Sequence, residues 1–492
     1  MNVPLRRAAY AILGAFVILI GTVTYIQAVE GPNLRDDPLN PRVVAWRTGR
    51  QRGPIVSSDG TLLAVSTAST NDPKLYERRY PEGDLYAHSV GFTSVLFGSR
   101  GVERTRSSDL VSNRDSTISG VLNGLLGGDT NPRGVRLTLA HALQEVAAEA
   151  LGDQKGSIIA LDPTTGAILA MVSYPRFDPN SLIGSDAGTA GEALESDPDE
   201  PLRDRGIDQT YPPGSVYKVI TTASGLDTGL VSPSSEFADP VALELPGSNS
   251  TIQNFNGKVC NNGTAVELAF AFVKSCNTVF AQLGMDLGGN QLGFTSQAFG
   301  YNQEVPFEFS VLPSVFPPPS TIEDDPPATA QNAIGQRDNR STPLLMAMTA
   351  GAVANGGSIM IPFLVEEVFT SVGSVEQHAN PKKWRRAMSP ASAAVLSDLM
   401  EQVVISGTGR KAAVPGIRIA GKTGTAQVTG KAPHAWFIGF GPLGATVDSP
   451  QIAIAVVVES GGDFGESATG GSVAAPIAQK VLSAFFGIAE TG

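Results

Sequence analysis

The stretch from Ile417 to Ser460 reads IRIAGKTGTAQVTGKAPHAWFIGFGPLGATVDSPQIAIAVVVES, and it is the part of the sequence that best predicts the fold. Three segments in it have the composition of strands: Ile417 to Val428, His434 to Gly441 and Gln451 to Ser460. Short turns with glycine or proline separate them, which predicts an antiparallel meander of three consecutive strands. The amphipathic run from Ser472 to Phe486 predicts a helix that packs on this sheet.

A second strand signal lies far upstream. Ser157 to Asp162 and Ala167 to Ser173 are apolar segments joined by Pro-Thr-Thr-Gly, which predicts a β-hairpin and a new domain from about residue 155. With helices between the hairpin and the meander, the chain predicts an α+β domain with layers on both faces of an antiparallel sheet. Residues 184–200 lack periodicity and are expected to form a loop. Residues 306–327 are so rich in proline that neither a helix nor a central strand is expected.

Residues 31–154, which precede this domain, are polar and rich in turn residues, and we expect them to form an extended pedestal. Arg52 to Ala64 predicts a strand, an Asp-Gly turn and a second strand. Leu139 to Leu151 predicts a helix that ends at Gly152.

Residues 1–30 predict a membrane anchor. The uncharged segment from Ala8 to Val29 would span a hydrocarbon core of roughly 30 Å at about 1.5 Å per residue. Arg6 and Arg7 precede it, and no Lys or Arg follows until Arg35, so the positive-inside rule places the short N-terminus in the cytoplasm and the rest outside. A cleaved signal peptide is the alternative, but the apolar region is long and Ile26 disrupts a small-residue cleavage site.

Composition limits the classes of partner. The chain has 492 residues, of which 42% are hydrophobic, so two or three domains with real cores are expected. The net charge of -12 and the lack of a long Lys/Arg run argue against a nucleic-acid partner. No Cys/His cluster indicates zinc, and we expect neither a metal nor a cofactor.

The two cysteines, Cys260 and Cys276, are sixteen positions apart. Outside the cytoplasm a disulfide between them is expected. A pair of buried free thiols is the alternative, because cysteine is often a core residue.

Three short motifs follow one another along the chain: Ser215-Val-Tyr-Lys218, Ser275-Cys-Asn277 and Lys422-Thr-Gly424. Each is weak alone, because patterns of three or four residues arise by chance. The chain contains only eleven lysines, however, and Lys218 forms its one Ser-x-x-Lys. Together the motifs predict a serine acyl-transfer site that needs no histidine.

In the first motif, Ser215 follows Tyr-Pro-Pro-Gly and precedes a helical run that begins at Val216. The N-H groups and positive dipole end of a helix N-terminus favour a developing oxyanion. Lys218 lies one turn further on the same face, and a desolvated lysine with a lowered pKa can accept the serine proton. The alternative is an ordinary N-cap serine followed by a solvated lysine.

The second motif follows a helical run from Ala265 to Lys274 and precedes another, which predicts a helix junction. The hydroxyl of Ser275 could relay a proton to the leaving group. The amide of Asn277 could hold the peptide bond of a substrate.

The third motif lies in a segment whose alternation favours a strand that borders the cleft. Such a strand could pair with an extended peptide and donate a second oxyanion N-H. Lys422, Thr423 and Thr425 would suit a carboxylate, and Gly424 permits close backbone approach.

Two other enzyme classes fit the sequence less well. Residues 416–423 fit the nucleotide-binding pattern G-x-x-x-x-G-K-[ST], but a P-loop must open a helix, and this segment alternates like a strand. An extracytoplasmic location also offers no ATP. A Ser-His-Asp hydrolase is disfavoured because the chain has four histidines and no Gly-x-Ser-x-Gly elbow, and His434 is interpreted as structural.

With these motifs in place, the chain resembles the class B penicillin-binding proteins, the monofunctional D,D-transpeptidases of peptidoglycan. The resemblance covers nearly the whole chain. It includes Arg52-Gly-Pro-Ile, Gly101-Val-Glu-Arg104, Gly166-Ala-Ile-Leu-Ala-Met, Gly335-Gln and Thr342-Pro-Leu. It implies a penicillin-binding/β-lactamase-like α+β transpeptidase domain with a helical subdomain at 155–492, carried by the pedestal and a single transmembrane helix.

The resemblance also implies roles by position. Ser215 would be the nucleophile and Lys218 its base, with Ser275 and Lys422 as the proton relay. Further roles fall on Asn277 for the donor peptide, on Thr423 and Thr425 for its carboxylate, and on the N-H groups of Ser215 and Thr425 as the oxyanion hole. Two departures stand out, namely Cys276 within the second motif and Arg337-Asp-Asn-Arg340 in place of the glycine usually seen after Gly335-Gln.

The resemblance implies stem peptides, β-lactams, the membrane and other proteins of cell-wall synthesis as partners. A β-lactamase is disfavoured by the anchor, the pedestal and the lack of an obvious deacylating glutamate motif. A β-lactam sensor is disfavoured by a cytoplasmic tail of about seven residues, and a scaffold with an inactive site by the presence of every catalytic residue.

Overall fold

The structure is a computed structural model that describes residues 3–31, 49–69, 75–111, 131–184, 186–445 and 451–488. At its N-terminus a helix, Val3–Tyr25, continues into a π-helical turn, Ile26–Glu30. The 20 residues Arg6–Tyr25 are long and apolar enough to cross a membrane, and none of this stretch is buried. The pedestal predicted at 31–154 is described only in part, since residues 32–48, 70–74 and 112–130 lie outside the described ranges.

A five-stranded antiparallel sheet lies at the centre of the domain that begins near residue 156. Its strands are β1 (Gly156–Leu161), β2 (Ile168–Tyr174), β3 (Ala420–Val428), β4 (Lys431–Gly441) and β5 (Ile452–Val458). Their order is β3-β4-β5-β1-β2, so the meander predicted from the sequence and the upstream hairpin form one sheet. β3 is therefore an edge strand of this sheet.

Helices cover both faces of the sheet. α1 (His141–Leu151) and α7 (Ala474–Phe485) pack on one face, and α5 (Pro343–Ala354) packs on the other. The alternation along β5 separates the two cores: Ile454 and Val456 join the first, whereas Ala455 and Val457 join the second. The α+β arrangement expected from the sequence is confirmed.

A group of helices lies beside β3. It contains α2 (Lys218–Asp227), α3 (Leu268–Lys274), α4 (Asn277–Ala298), the helix Pro326–Ala333 and α6 (Pro390–Ile405). α2 packs against α4 and α6, while α6 packs against β3. This is the helical subdomain expected from the resemblance.

The pedestal contains a six-stranded sheet that includes strands from much later in the chain. Its order is Val375–His378, Val365–Phe369, Gly134–Leu137, Ile55–Val56, Leu62–Ala68 and Tyr76–Arg79. The predicted strand, turn and strand of 52–64 are present, since Ile55 pairs with Ala64 across the turn. The two strands from residues 365–378 were not predicted to join this part of the molecule.

Shorter elements complete the described fold. Two-stranded ribbons join Thr93–Ser94 to Gly98–Ser99, Glu236–Ala238 to Ala265–Glu267, Ala242–Glu244 to Thr251–Gln253, and Ser358–Met360 to Lys383–Arg386. Short helical segments are Gly83–Tyr86, Gly101–Thr105, Ser107–Leu110, Pro179–Leu182, Gly214–Tyr217, Phe255–Gly257, Pro319–Ile322, Arg410–Ala412 and Glu459–Ser467.

Two sequence expectations were wrong. Residues 184–200 were expected to form a loop, but Ala187–Ser196 is a helix, because its Ala, Glu and Leu residues are good helix formers even without a clear apolar stripe. Position 191 favours glycine, because a Cβ there would lie only 2.0 Å from the Phe97 ring and would clash with it. In residues 306–327, helices begin at Pro319 and Pro326, since proline is tolerated in the first helical turn.

A buried ionic cluster holds the pedestal together. Glu103 accepts hydrogen bonds from Arg52 Nε at 2.8 Å and from Arg78 Nε at 2.6 Å, and all three side chains are at most 3% exposed. Burial alone would raise the pKa of Glu103, but the charges of Arg78 and Arg52 hold that pKa below its ordinary value. One carboxylate therefore balances two buried guanidinium groups.

We expect Glu103→Ala to lower the free energy of unfolding of the pedestal by about 3–5 kcal/mol, because it leaves two buried cations uncompensated. The surface pair Glu77–Arg79 is 40% and 63% exposed, so the control Glu77→Ala should cost about 0.5 kcal/mol or less. Denaturant unfolding of the full-length protein in detergent measures both. Equal, small effects of the two variants would contradict the account.

Candidate active site

The turn that carries Ser215 is fixed from two sides. Residues Gly214–Tyr217 form a 3-10 turn that leads directly into α2, so Ser215 lies at the N-terminal end of a helical segment. Gly214 has φ +55° and donates its N-H to the carbonyl of Gly335 at 2.8 Å. On the other side, a Cβ on Gly214 would lie 2.9 Å from the carbonyl oxygen of Thr425. The turn is thus held between β3 and the loop that begins at Gly335.

Ser275 occupies a strained position at the junction of α3 and α4. Its φ of +64° is in the left-handed region, which a serine rarely adopts. The N-H of Ser275 bonds to the carbonyl of Phe272 at 3.2 Å, and the N-H of Cys276 bonds to that of Ala271 at 2.9 Å, which is the Schellman pattern of helix termination. This termination turns both oxygens of Ser275 towards the lysines described next.

Two lysine ammonium groups meet at Ser275. Lys422 Nζ donates to Ser275 Oγ at 2.8 Å, and Lys218 Nζ lies 3.5 Å from the same Oγ. Lys218 Nζ also donates to the backbone carbonyl of Ser275 at 2.8 Å. The structure thus joins residues from all three motifs, 57 and 147 positions apart from Ser275, in one hydrogen-bonded cluster.

Both lysines are completely buried. Lys218 Nζ lies 5.3 Å from the centroid of the Phe280 ring, and Lys422 Nζ lies 5.6 Å from that of Phe272. Burial lowers the pKa of Lys422 to about 7. Burial, followed by the charge of Lys422, lowers the pKa of Lys218 well below its ordinary value. Each lysine therefore reaches its neutral, base form at a lower pH than an exposed lysine does.

Asn277 links this cluster to the ribbon that contains the strand Thr251–Gln253. Its Oδ1 accepts from Lys218 Nζ at 2.8 Å, and its Nδ2 donates to the carbonyl of Gln253 at 3.0 Å. Asn254 Oδ1 in turn accepts from the N-H of Asn277 at 2.7 Å and from that of Thr278 at 3.1 Å. Asn254 therefore supplies the first turn of α4 with an acceptor and fixes the orientation of Asn277.

The third motif lies within β3, which continues as a strand to Val428. No helix follows Thr423, so the segment cannot cradle phosphates as a P-loop does. Thr423 Oγ1 lies 2.5 Å from Thr408 Oγ1. Gly424 packs against the turn before the nucleophile, since a Cβ there would lie 2.9 Å from the carbonyl oxygen of Pro213. The Oγ1 of Thr425 accepts from the N-H of Gly470 at 3.4 Å.

Cys260 and Cys276 are joined in the structure, with their Cα atoms 5.8 Å apart. The link ties residue 260, which follows the 251–253 strand, to the middle of the second motif. Among the described residues, no cluster of His, Cys, Asp and Glu side chains could hold a metal ion.

Three residues that position parts of the site were not predicted from the sequence: Thr408, Asn254 and Trp436. Trp436 Nε1 donates to the carbonyl of Pro212 at 3.0 Å. Only Thr408 had a local signal, since it lies between Gly407 and Gly409. His434, interpreted as structural, accepts the N-H of Ser460 at 3.0 Å and meets the Tyr211 ring edge-on.

The sequence profile described as the penicillin binding protein transpeptidase domain matches residues 156–483. The profile described as the penicillin binding protein A dimerisation domain matches residues 52–135. Among curated relatives, the peptidoglycan D,D-transpeptidase PbpA of Mycolicibacterium smegmatis is 40% identical, over 98% of this chain and 99% of that protein. PbpA of Mycobacterium tuberculosis is 37% identical, again over 98% and 99%.

Solved structures of penicillin-binding protein A are similar to this chain over most of its length. Penicillin-binding protein A from M. tuberculosis, as a ceftriaxone acyl-enzyme complex, superposes with a TM-score of 0.82 at 37% identity, covering 89% of this chain and 99% of that chain. Its penicillin G acyl-enzyme complex superposes with a TM-score of 0.80 at 37% identity, covering 89% and 100%.

Proposed function

The chain belongs to the penicillin-binding protein transpeptidases and is a peptidoglycan D,D-transpeptidase, and we propose that Ser215 is the residue that it acylates. The observation that carries the assignment is the cluster at Ser275, where two buried lysines reach one hydroxyl. Such a cluster can take a proton from a nucleophile and deliver it to a leaving group without histidine. Ser215 is the serine of the Ser-x-x-Lys motif that supplies Lys218.

In the acylation step, Ser215 Oγ attacks the carbonyl carbon of the penultimate D-Ala of a stem peptide. Lys218 accepts the hydroxyl proton, for which its lowered pKa suits it. The N-H groups of Ser215 and Thr425 stabilise the oxyanion, a role supported by the packing of Gly214 on the Thr425 carbonyl. The C–N bond then breaks, and Ser275 with Lys422 passes a proton to the departing D-Ala amine.

Binding roles follow from the same geometry. Asn277, held by Asn254, faces the donor peptide, which pairs as an extra strand along the edge of β3. Thr423 and Thr425 bind its terminal carboxylate, and Gly424 lets the backbone approach. An amine of a second stem peptide resolves the acyl-enzyme. β-Lactams acylate the same serine and are released slowly.

The domain division that we propose is an anchor at 1–30, a pedestal at 31–154 and a transpeptidase domain at 155–492, with strands 365–369 and 375–378 contributed to the pedestal sheet. Arg6 and Arg7 support a single-pass topology with the catalytic domain outside the cytoplasm. The pedestal is the surface that we assign to other cell-wall synthesis proteins. In that compartment Cys260 and Cys276 form a disulfide, so denatured, unreduced protein should contain no titratable thiol.

The test is cross-linking by the full-length protein in detergent. Incubated with a synthetic stem pentapeptide and an amine acceptor, it should release D-Ala and form a product whose mass equals donor plus acceptor minus D-Ala. Repeated turnover of penicillin without peptide cross-linking would instead identify a β-lactam hydrolase and refute the proposal.

A further inference from the structure

A cavity of about 370 Å³ opens beside the catalytic cluster and has no role in the reaction described so far. Three exposed cationic residues, Lys274, Arg410 and Lys411, line it together with residues 406–408 and 471. Glycine makes the close packing possible, since a Cβ on Gly471 would lie 2.4 Å from the carbonyl oxygen of Thr408. The cavity is therefore built by the fold and is lined by three cationic side chains.

The three cationic residues have no carboxylate partner among the residues that the structure describes. Within the described ranges, Arg410 and Lys411 form no ion pair with any carboxylate, and Lys274 Nζ donates only to the carbonyl of Ser406, at 3.2 Å. The protein as a whole carries a net charge of -12, so a cavity lined by three cationic residues is opposite in charge to the molecule as a whole. Such a site favours an anion, and its size suits a carboxylate-bearing residue.

Two contacts connect the cavity with the catalytic centre. Lys274 directly precedes Ser275, whose Oγ accepts a hydrogen bond from the Lys422 ammonium group. Thr408, in the cavity wall, is hydrogen-bonded to Thr423, which we assigned to the carboxylate of the donor. A group bound in the cavity thus lies beside the lysine cluster at Ser275 and beside Thr423 of β3.

We propose that this cavity is a subsite for the acceptor peptide and binds a free carboxylate that neighbours its attacking amine. The proposal rests on the transpeptidase function assigned above, which requires a second peptide whose place that function leaves open. Arg410, Lys411 and Lys274 hold the carboxylate, so the amine is directed to the Ser215 ester. Their positive charge also disfavours the protonated amine, and only the neutral amine attacks.

The step balances without any further reactant. The acceptor nitrogen forms a C–N bond to the acyl carbon, and the C–O bond to Ser215 Oγ breaks. One amine proton passes through Lys218 to Ser215 Oγ, which restores the hydroxyl. Water competes for the same acyl carbon, so the subsite determines how the acyl-enzyme divides between cross-linking and hydrolysis.

The experiment compares two synthetic acceptor peptides that differ only beside the amine, where one has a free carboxylate and the other a carboxamide. The full-length wild type, Arg410→Ala/Lys411→Ala and the charge-matched control Lys382→Ala/Lys383→Ala react with one stem-peptide donor. The control lysines are exposed and lie beside the Ser358–Met360 ribbon. We expect the first double variant to lower the ratio of cross-linked to hydrolysed product about tenfold with the carboxylate acceptor.

With the carboxamide acceptor, the first double variant should give the same product ratio as the wild type. The control variant should match the wild type with both acceptors. An equal fall with both acceptors, or no fall with either, would overturn the proposal. Loss of donor acylation in the first double variant would also overturn it, because the cavity would then serve the donor. If the wild type forms neither cross-linked nor hydrolysed product from the donor, the proposed transpeptidase function fails instead, so the two failures are distinguishable.

Discussion

Ser215→Ala should abolish covalent labelling of the protein by fluorescent penicillin, with a fall in the second-order rate of acylation of at least about 10⁴-fold. Removal of the hydroxyl leaves no atom to form the ester, whatever the rest of the site contributes. The variant should still fold, because Ser215 is only partly buried and its turn is held by Gly214 and Trp436. Gel fluorescence after denaturation measures the adduct.

The matched control is Ser275→Ala. It removes a hydroxyl that contacts both lysines yet leaves Ser215 in place. This variant should label more slowly than wild type but reach the same final stoichiometry. The assignment would be wrong if Ser215→Ala labelled fully while Ser275→Ala did not.

Lys218→Ala should reduce the rate of acylation about 10³-fold, because general base catalysis typically contributes 10²–10⁴-fold. The informative companion is Lys218→Arg. Arginine keeps a cation and hydrogen-bond donors near Ser275 and Asn277, but its pKa is too high for it to accept a proton. Both variants should therefore be similarly inactive. Near-normal acylation by Lys218→Arg would show that position 218 provides charge rather than a base.

The pH dependence of acylation gives a second readout for the same residue. Because burial depresses the pKa of Lys218, its neutral base form persists to a lower pH than in an exposed lysine and is lost as the pH falls through that depressed pKa. The wild-type rate should fall on acidification. Its alkaline side should respond to Lys422, whose pKa of about 7 means that its proton is lost as the pH rises. The two limbs belong to a coupled pair of lysines.

The sequence was sufficient for the sheet and for the three motifs. Apolar alternation in 417–460 and the hairpin at 157–173 are local signals, and both appear as strands of one sheet. The left-handed Ser275 and the long-range partners Thr408 and Asn254 were not predictable, because they depend on contacts between distant segments. The same reason explains the strands at 365–378, which pair with the pedestal strand Gly134–Leu137. The helix Ala187–Ser196 was missed because the segment has no clear apolar periodicity, although its Ala, Glu and Leu residues favour a helix.

The central claim is that Ser215 forms the acyl-enzyme, and peptide mapping of penicillin G-treated wild type tests it most directly. Trypsin cleaves after Arg205 and Lys218, so the peptide 206–218 contains Ser215 as its single serine. We predict that the whole penicilloyl mass increment is found on Ser215 in this peptide. An adduct on another peptide, above all the one that begins at Ser275, or no adduct at all, would contradict the account.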